Sequence, residues 1–326
     1  MEHDKLEEMI ADLDSRYSHF EAREARAKDR AAIVKGSWWC FGLVGLVADF
    51  EEREVLPGII LRKIVEPPGE IELARAMKAA GLFSSIARYS HILSYELAIK
   101  DKPEEESQRA FTYAWWITSA LRVRSLCDFL VPIVADRPWG TVAAVRDNSC
   151  HIQLLEDTPK AFRLEEGRKV SHDDIEWVVA HLLKFVKLLE HPSFRTAVEA
   201  LTTHHQHASL RMAAAALWAG LEALLQIESE LRFRVSTYVA SLLEPFGPSR
   251  LSLFRHARKL YDVRSKAVHG AALEEAVLRA HVVEIRALLS RVICAITEGG
   301  RVPKSEQLDE RVFDESVLKV PGSTSC

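Results

Sequence analysis

The chain has 326 residues, 48% of them hydrophobic and 28% charged, with 43 Lys and Arg against 47 Asp and Glu and a formal net charge of −4. That length buries a large core and has room for two domains, and the composition excludes a disordered chain. The slightly acidic total excludes a protein that wraps nucleic acid through its overall charge.

Five cysteines, Cys40, Cys127, Cys150, Cys294 and Cys326, are odd in number and far apart, which fits neither a disulfide frame nor a zinc pattern. The start Met1-Glu2-His3-Asp4-Lys5 does not read as a signal peptide, and the longest apolar run, Trp38 to Ala48, is too short to span a bilayer. A reducing cytoplasm, with no membrane partner, is the expected setting.

In chain order, residues 5–34 read as an amphipathic helix with Leu6, Met9, Ile10, Leu13, Tyr17 and Phe20 on one side. Ser37 to Phe50 and Ile59 to Val65 read as strands joined by an acidic loop that ends in Pro57-Gly58. Pro67-Pro68-Gly69 breaks the chain. Ser84 to Lys100 reads as a further strand, with Ile86, Tyr89, Ile92, Ser94 and Leu97 only partly in period, and residues 101–108 form a charged linker. Phe111 to Leu130 is a strongly apolar helix whose Trp115 and Trp116 are expected in the core. Residues 139–165 read as two or three short strands with turns at Asp147-Asn148-Ser149 and Asp157-Thr158-Pro159.

Ser171-His172-Asp173-Asp174 is a helix N-terminus with acids in its first turn. From there to Gly299 the pattern is helical, broken at His191-Pro192, near Glu230 and at Pro245 to Ser249. The last long helix carries Leu278, Val282, Ile285, Leu289, Val292 and Ile296, the spacing of a core or dimer seam. The tail from Gly300 is polar and expected to be loose. The chain thus divides into an N-terminal amphipathic helix (1–35), a mixed α/β region (36–170) with a sensing or partner-binding role, a helical domain (171–300) and a polar tail (301–326). The fold class is predominantly α, α+β overall, with a small antiparallel sheet in the N-terminal region.

The stretch Tyr261-Asp262-Val263-Arg264-Ser265-Lys266-Ala267-Val268-His269-Gly270 stands out. Leu253, Phe254, Ala257, Leu260, Tyr261, Ala267 and Val268 recur with helical spacing, and Arg264 falls inside that apolar stripe. A guanidinium stays charged, so in a buried place it needs an anion, either a carboxylate of the fold or a phosphate of a ligand. His269 stands beside Gly270, a usual residue just past a helix end, and carries the side chain whose ordinary pKa suits proton transfer near neutrality. A phosphate-binding cation beside a proton carrier is a minimal site for cleaving a phosphodiester.

Arg-x4-His occurs twice, however. Arg146-Asp147-Asn148-Ser149-Cys150-His151 also fits, and its Asp-Asn-Ser turn marks a surface loop. The second copy has the local charge in its favour. Residues 201–300 hold 12 Lys and Arg against 9 Asp and Glu, and between Arg250 and Lys266 six basic residues accompany the single acid Asp262. Such a run either focuses positive potential on the motif or is a solvated helix face.

Around this copy stand Leu217-Trp218-Ala219-Gly220-Leu221-Glu222-Ala223-Leu224-Leu225, then Leu231-Arg232-Phe233-Arg234, Tyr238 to Leu243, and Lys259-Leu260-Tyr261-Asp262-Val263-Arg264-Ser265 with Val268-His269-Gly270. From about residue 207 to 300 this resembles the HEPN superfamily, and within it the Apea-like group. The resemblance implies a helical bundle that dimerises and brings two Arg-x4-His motifs together. It also implies a metal-independent endoribonuclease, used as a toxin or in antiviral defence, with RNA as partner and a protein inhibitor or trigger restraining it.

In this reading Arg264 binds the scissile phosphate and His269 moves the proton. Ser265 bonds a phosphate oxygen or orients His269, and Glu222 pairs with Arg264. Lys266, Lys259 and Arg258 make sequence-blind contacts to the RNA backbone. No metal and no cofactor is expected. The alternative is a non-catalytic HEPN dimerisation and RNA-binding module in which Arg264 and His269 are a structural pair. His204, His205 and His207 have no further ligand at suitable spacing and are expected to be a solvated or capping cluster, and His256 and His281 ordinary helix residues. There is no Gly-x4-Gly-Lys phosphate loop and no Gly-x-Ser-x-Gly elbow.

Overall fold

The computed structural model describes residues 2–78, 80–101, 107–156, 168–227, 229–268 and 272–313. The chain forms two compact units: residues 1–115 with 129–157, and residues 116–128 with 158–326. Division is therefore not linear. Helix α4 (Ser107–Ser125) begins in the first unit and ends in the second.

The first unit holds six antiparallel strands in the order β2-β3-β4-β1-β5-β6. They are β1 (Ser37–Val44), β2 (Glu52–Leu56), β3 (Ile59–Lys63), β4 (Leu93–Asp101), β5 (Leu130–Ala135) and β6 (Ile152–Leu154). One face presents Cys40, Ala98, Ile133 and Ala135, covered by α2 (Glu70–Ala76), α3 (Phe83–Ser90) and the 3-10 turn Trp139–Ala144. Close packing there is visible at Gly42, where a Cβ would lie 2.7 Å from a Leu93 methyl and 3.0 Å from the Trp139 indole nitrogen. That nitrogen donates to the Cys40 carbonyl at 2.9 Å. The other face carries Phe41, against which Phe111 at the start of α4 packs edge to face at 5.2 Å.

Several sequence expectations are corrected here. The acidic segment before Pro57-Gly58 is a strand, β2, with Glu52 opposite Arg62 of β3; an edge strand tolerates such charge and benefits from the cross-strand pair. The segment 84–100 is a helix followed by a strand. Ile86, Ala87 and Ser90 are buried at helical spacing in α3, and the alternating pattern starts only at Leu93. The apolar helix from Phe111 stops at Ser125, and Leu130 begins β5. Pro132 sits in that internal strand where the register with β1 shifts between Gly42 and Val44, so no ladder bond needs its missing N–H. Trp115 keeps 42% of its surface exposed and so is not core.

Helix α1 (Glu2–Ile33) is tied down by charge in its C-terminal half. Arg23 pairs with Glu72 at 3.0 Å, Arg26 and Arg30 with Glu66 at 2.8 and 2.9 Å, and the buried Glu24 with Lys28 and Arg146. The side chains of Leu6 to Tyr17 lie outside the described residues.

The second unit is helical: α5 (His172–Leu188), α6 (Pro192–Thr203), α7 (Leu210–Leu225), α8 (Leu231–Leu243), α9 (Pro248–Val268), α10 (Glu275–Gly299) and α11 (Ser305–Phe313). Ser171 caps α5, accepting from the Asp174 amide while Asp174 reaches back to Ser171. The stripe Leu278, Val282, Ile285, Leu289, Val292 and Ile296 is buried inside this unit, where α10 meets α5 to α9. Arg286, on the same helix, is buried against Asp128 at 2.7 Å. Gly220 lets α7 approach α6 closely, since a Cβ there would stand 2.8 Å from that of Ala200. Part of the expected loose tail is helix α11, anchored by the buried Leu308 and by Asp309, which accepts from the Tyr238 hydroxyl. Among the described residues no helix is long and apolar enough to cross a membrane.

Candidate functional site

Helices α7 and α9 bring Glu222 and Arg264 together. Ser209 caps α7, its hydroxyl accepting from the Met212 amide at 3.3 Å, and the Ala-rich first half favours the helix. Helix α9 opens on Pro248, whose missing N–H costs nothing in a first turn. Its apolar positions Leu253, Ala257, Leu260, Tyr261 and Ala267 are buried, and Arg264 shares their side of the helix. Arg211 of α7 donates to the Ala267 carbonyl at 2.7 Å and holds the last turn of α9 in place.

Arg264 Nη2 lies 3.2 Å from one Glu222 oxygen and 3.4 Å from the other. The Tyr261 hydroxyl donates to Glu222 at 3.3 Å, and the guanidinium stacks over the Tyr261 ring at 5.1 Å. Arg264 Nε is buried and has no hydrogen-bond partner among the described residues. Burial pushes the Glu222 carboxyl above its ordinary value, with Arg264 and the Tyr261 hydroxyl pulling it back down. Burial likewise raises the Tyr261 phenol, helped by the Glu222 charge.

Aromatic packing backs this cluster. Trp218 meets the Tyr261 ring edge to face at 5.2 Å and donates its indole N–H to His281 Nε2 at 3.0 Å. His281 is buried, and burial lowers its pKa to about 4. It is a fixed, neutral acceptor rather than the ordinary helix residue the sequence implies, because the indole can donate only to an unprotonated ring nitrogen. The periodic stripe of α10 places it inward, but its partner Trp218 lies 63 residues away.

The remaining candidates are distributed differently. His269 lies outside the described residues, as does Gly270. Ser265 is half-buried, and Arg258, Lys259 and Lys266 are exposed. At 3.6 residues per turn, Lys259 and Lys266 lie about 140° and about 160° around α9 from Arg264, and Arg258 about 120°. The basic run is therefore split: it makes a charged outer face of α9, while Arg264 faces Glu222. Asp262 on that outer face pairs with Arg232 at 2.6 Å.

Arg146 of the other Arg-x4-His copy pairs with Glu24, and His151 is exposed beside Gln153. The histidine cluster is not solvated: His204 and His205 are buried, His204 Nδ1 stands 2.6 Å from the Leu201 carbonyl oxygen, and the two rings pack edge to face at 5.5 Å. His204 does follow α6 as its C-terminal cap. Among the described residues no group of His, Cys, Asp and Glu is arranged to hold a metal ion.

No family model matches the chain, and no curated protein or solved structure matches it. The likeness to HEPN proteins rests on the residues quoted in the sequence analysis.

Proposed function

We propose that this chain is a metal-independent endoribonuclease of HEPN type, acting as a toxin or antiviral effector. The observation that carries the reading is Arg264, a half-buried guanidinium on an aromatic rack, bound to Glu222 through Nη2 and with its buried Nε unpartnered among the described residues. A guanidinium fixed in this way suits a phosphate whose charge grows during reaction. In the reaction the RNA 2′-oxygen attacks the adjacent phosphorus as its proton passes to a base. The phosphorus–O5′ bond breaks, the leaving oxygen takes a proton, and a 2′,3′-cyclic phosphate remains. His269 supplies one of these transfers, and His269 of a second copy supplies the other in a homodimer. Ser265 assists at the phosphate, and Arg258, Lys259 and Lys266 hold the backbone of longer RNA from the outer face of α9.

The test is incubation of single-stranded and loop RNA with the purified chain in EDTA. Cleavage to 2′,3′-cyclic ends is expected, with a 2′-deoxy substitution at the cut site blocking it. Cleavage abolished by EDTA and restored by a divalent ion would overturn the mechanism.

A second reading, the non-catalytic dimerisation and RNA-binding module, is favoured by one observation: Glu222 already neutralises Arg264 within the fold. It requires RNA binding by the intact chain with no cleavage, including after any bound inhibitor is removed.

A further inference from the structure

A cleft of about 520 Å³ opens in the first unit where β1 begins and β5 ends. The volume lies within the range of about 300–1,000 Å³ typical of small-molecule sites. Trp38 forms a flat wall. Its indole N–H donates to the Lys35 carbonyl at 3.1 Å and the Arg62 guanidinium stands 6.0 Å from its ring, so the indole is fixed in place. Alanine and proline side chains, Ala144 and Pro138 among them, leave the adjoining floor apolar and open.

The rim is charged and oriented. Arg137 donates from Nε to Asp136 at 2.9 Å, while its Nη2 reaches the Ser149 carbonyl only at 3.5 Å. The fork is thus held by one carboxylate, with a long reach to Ser149 and a contact to the Cys150 thiol beside it. Asp147, across the rim, accepts from the Ser149 amide at 3.2 Å and keeps further acceptor capacity.

The frame around the cleft is hydrogen-bonded rather than loose. Thr141 donates twice to the Pro138 carbonyl, Val145 N–H to Val142, Asn148 N–H to Arg75 and Cys150 N–H to Ala76. Such a site is ready-made and binds without a large ordering cost. The nearby Cys150 is buried, and burial drives its thiol far above the ordinary range.

A fixed aromatic wall, an open apolar floor and a cationic fork select one ligand chemistry. We infer that this cleft binds a small planar organic anion, with its ring along Trp38, its anionic oxygens on Arg137 and a ligand donor on Asp147. Two sources carry that chemistry, a nucleoside monophosphate and an aromatic carboxylate.

Calorimetric titration of the full chain separates them. The probes are the four ribonucleoside monophosphates, benzoate and indole-3-carboxylate, with inorganic phosphate and adenosine as half-ligands. We expect saturable binding of one class at or below millimolar concentration, at least tenfold tighter than either half-ligand. Arg137→Gln should weaken it at least tenfold. Ala144→Leu, which fills the floor without removing a contact of the fold, should do the same with an unchanged far-ultraviolet spectrum. Nucleotide binding alone identifies a phosphate ligand, and carboxylate binding alone the other source. Absence of binding by every probe to the folded chain would overturn the inference, as would phosphate binding as tightly as any nucleotide and indifferent to Ala144→Leu.

Discussion

Replacing Glu222 by alanine should destabilise the helical unit by about 2 kcal/mol, and about half of that loss should depend on Arg264. An exposed ion pair is worth about 0.2–1 kcal/mol, and removing one partner of a fully buried pair costs about 3–5 kcal/mol. Here the Arg264 and Glu222 side chains are 23% and 17% exposed and the contacts are long, which places the value between those limits. About 1 kcal/mol of it belongs to the hydrogen bond from the Tyr261 hydroxyl. In a unit of this size the loss lowers Tm by about 4–8 °C.

Glu222→Gln should cost less, since an amide oxygen still accepts from both partners. The carboxyl has a folded pKa raised above the ordinary value near 4.5 by burial. A raised acid contributes stability that is complete below 4.5 and is lost as pH rises through the folded value. Wild type should therefore lose ground to Glu222→Gln as pH rises above 4.5. Urea unfolding across that rise, on wild type, Glu222→Ala, Glu222→Gln, Arg264→Ala and the double alanine variant, measures both effects. The expected coupling is about 1 kcal/mol. Additivity within about 0.3 kcal/mol would show that the pair does not couple, and a pH-independent difference between wild type and Glu222→Gln would show that the carboxyl is not desolvated.

Three further outcomes follow from the same geometry. His281 has its pKa lowered from 6.5 to about 4, so its contribution is complete above pH 6.5 and is lost as pH falls toward 4, by about 3 kcal/mol; His281→Gln should flatten that limb of the stability curve, and an unchanged slope would refute it. Glu24, whose carboxyl Arg146 and Lys28 hold down at about 2, anchors α1; Glu24→Ala should raise the rate of proteolytic cutting within α1 severalfold at pH 7, whereas an unchanged rate would mean the helix is held by its other charges alone. His269→Ala should reduce RNA cleavage at least about a hundredfold with folding intact, while His151→Ala leaves it within about twofold; equal losses from both folded variants would remove the ground for choosing Arg264 and His269.

What the sequence made legible follows from periodicity. The helices from His172 onward announce themselves through long three-four stripes, proline starts and an acidic cap, and their breaks at Pro192, Glu230 and Pro248 are local signals. In the first unit the elements are short, and tertiary pairing decides them. Glu52 to Leu56 looks like an acidic loop until β3 supplies the ladder, and α3 is two turns of helix set directly against a strand. Pro132 in β5 argues against a strand unless the register shift is known.

At the candidate site, the apolar stripe around Arg264 and the one around Glu222 were both readable, and so was the need for a partner. The Trp218–His281 bond was not, because no periodicity links residues on helices so distant in sequence. Nor was the split of the basic run. Six cations counted along a line become a single charged patch only if they share a face, and at 100° per residue they do not.

That split bears on how RNA would meet the protein. Arg264 holds its place through Glu222 and Tyr261 on the inner side of α9, and Lys259 and Lys266 stand nearly opposite. A strand running along the outer face would contact the lysines and miss the guanidinium. Under the proposed function a scissile phosphate would instead approach the end of α9, where Arg264 is one turn from the last described residue of the helix, Val268. There Arg264 need not surrender Glu222, because only Nη2 is spent on it. Keeping the carboxylate bond while offering an outer nitrogen costs less than exchanging partners, since exchange would strand a desolvated Glu222. The same ion pair that holds the fold can thus aim the guanidinium, and a variant that keeps the charge but loses the planar fork, Arg264→Lys, separates those two roles.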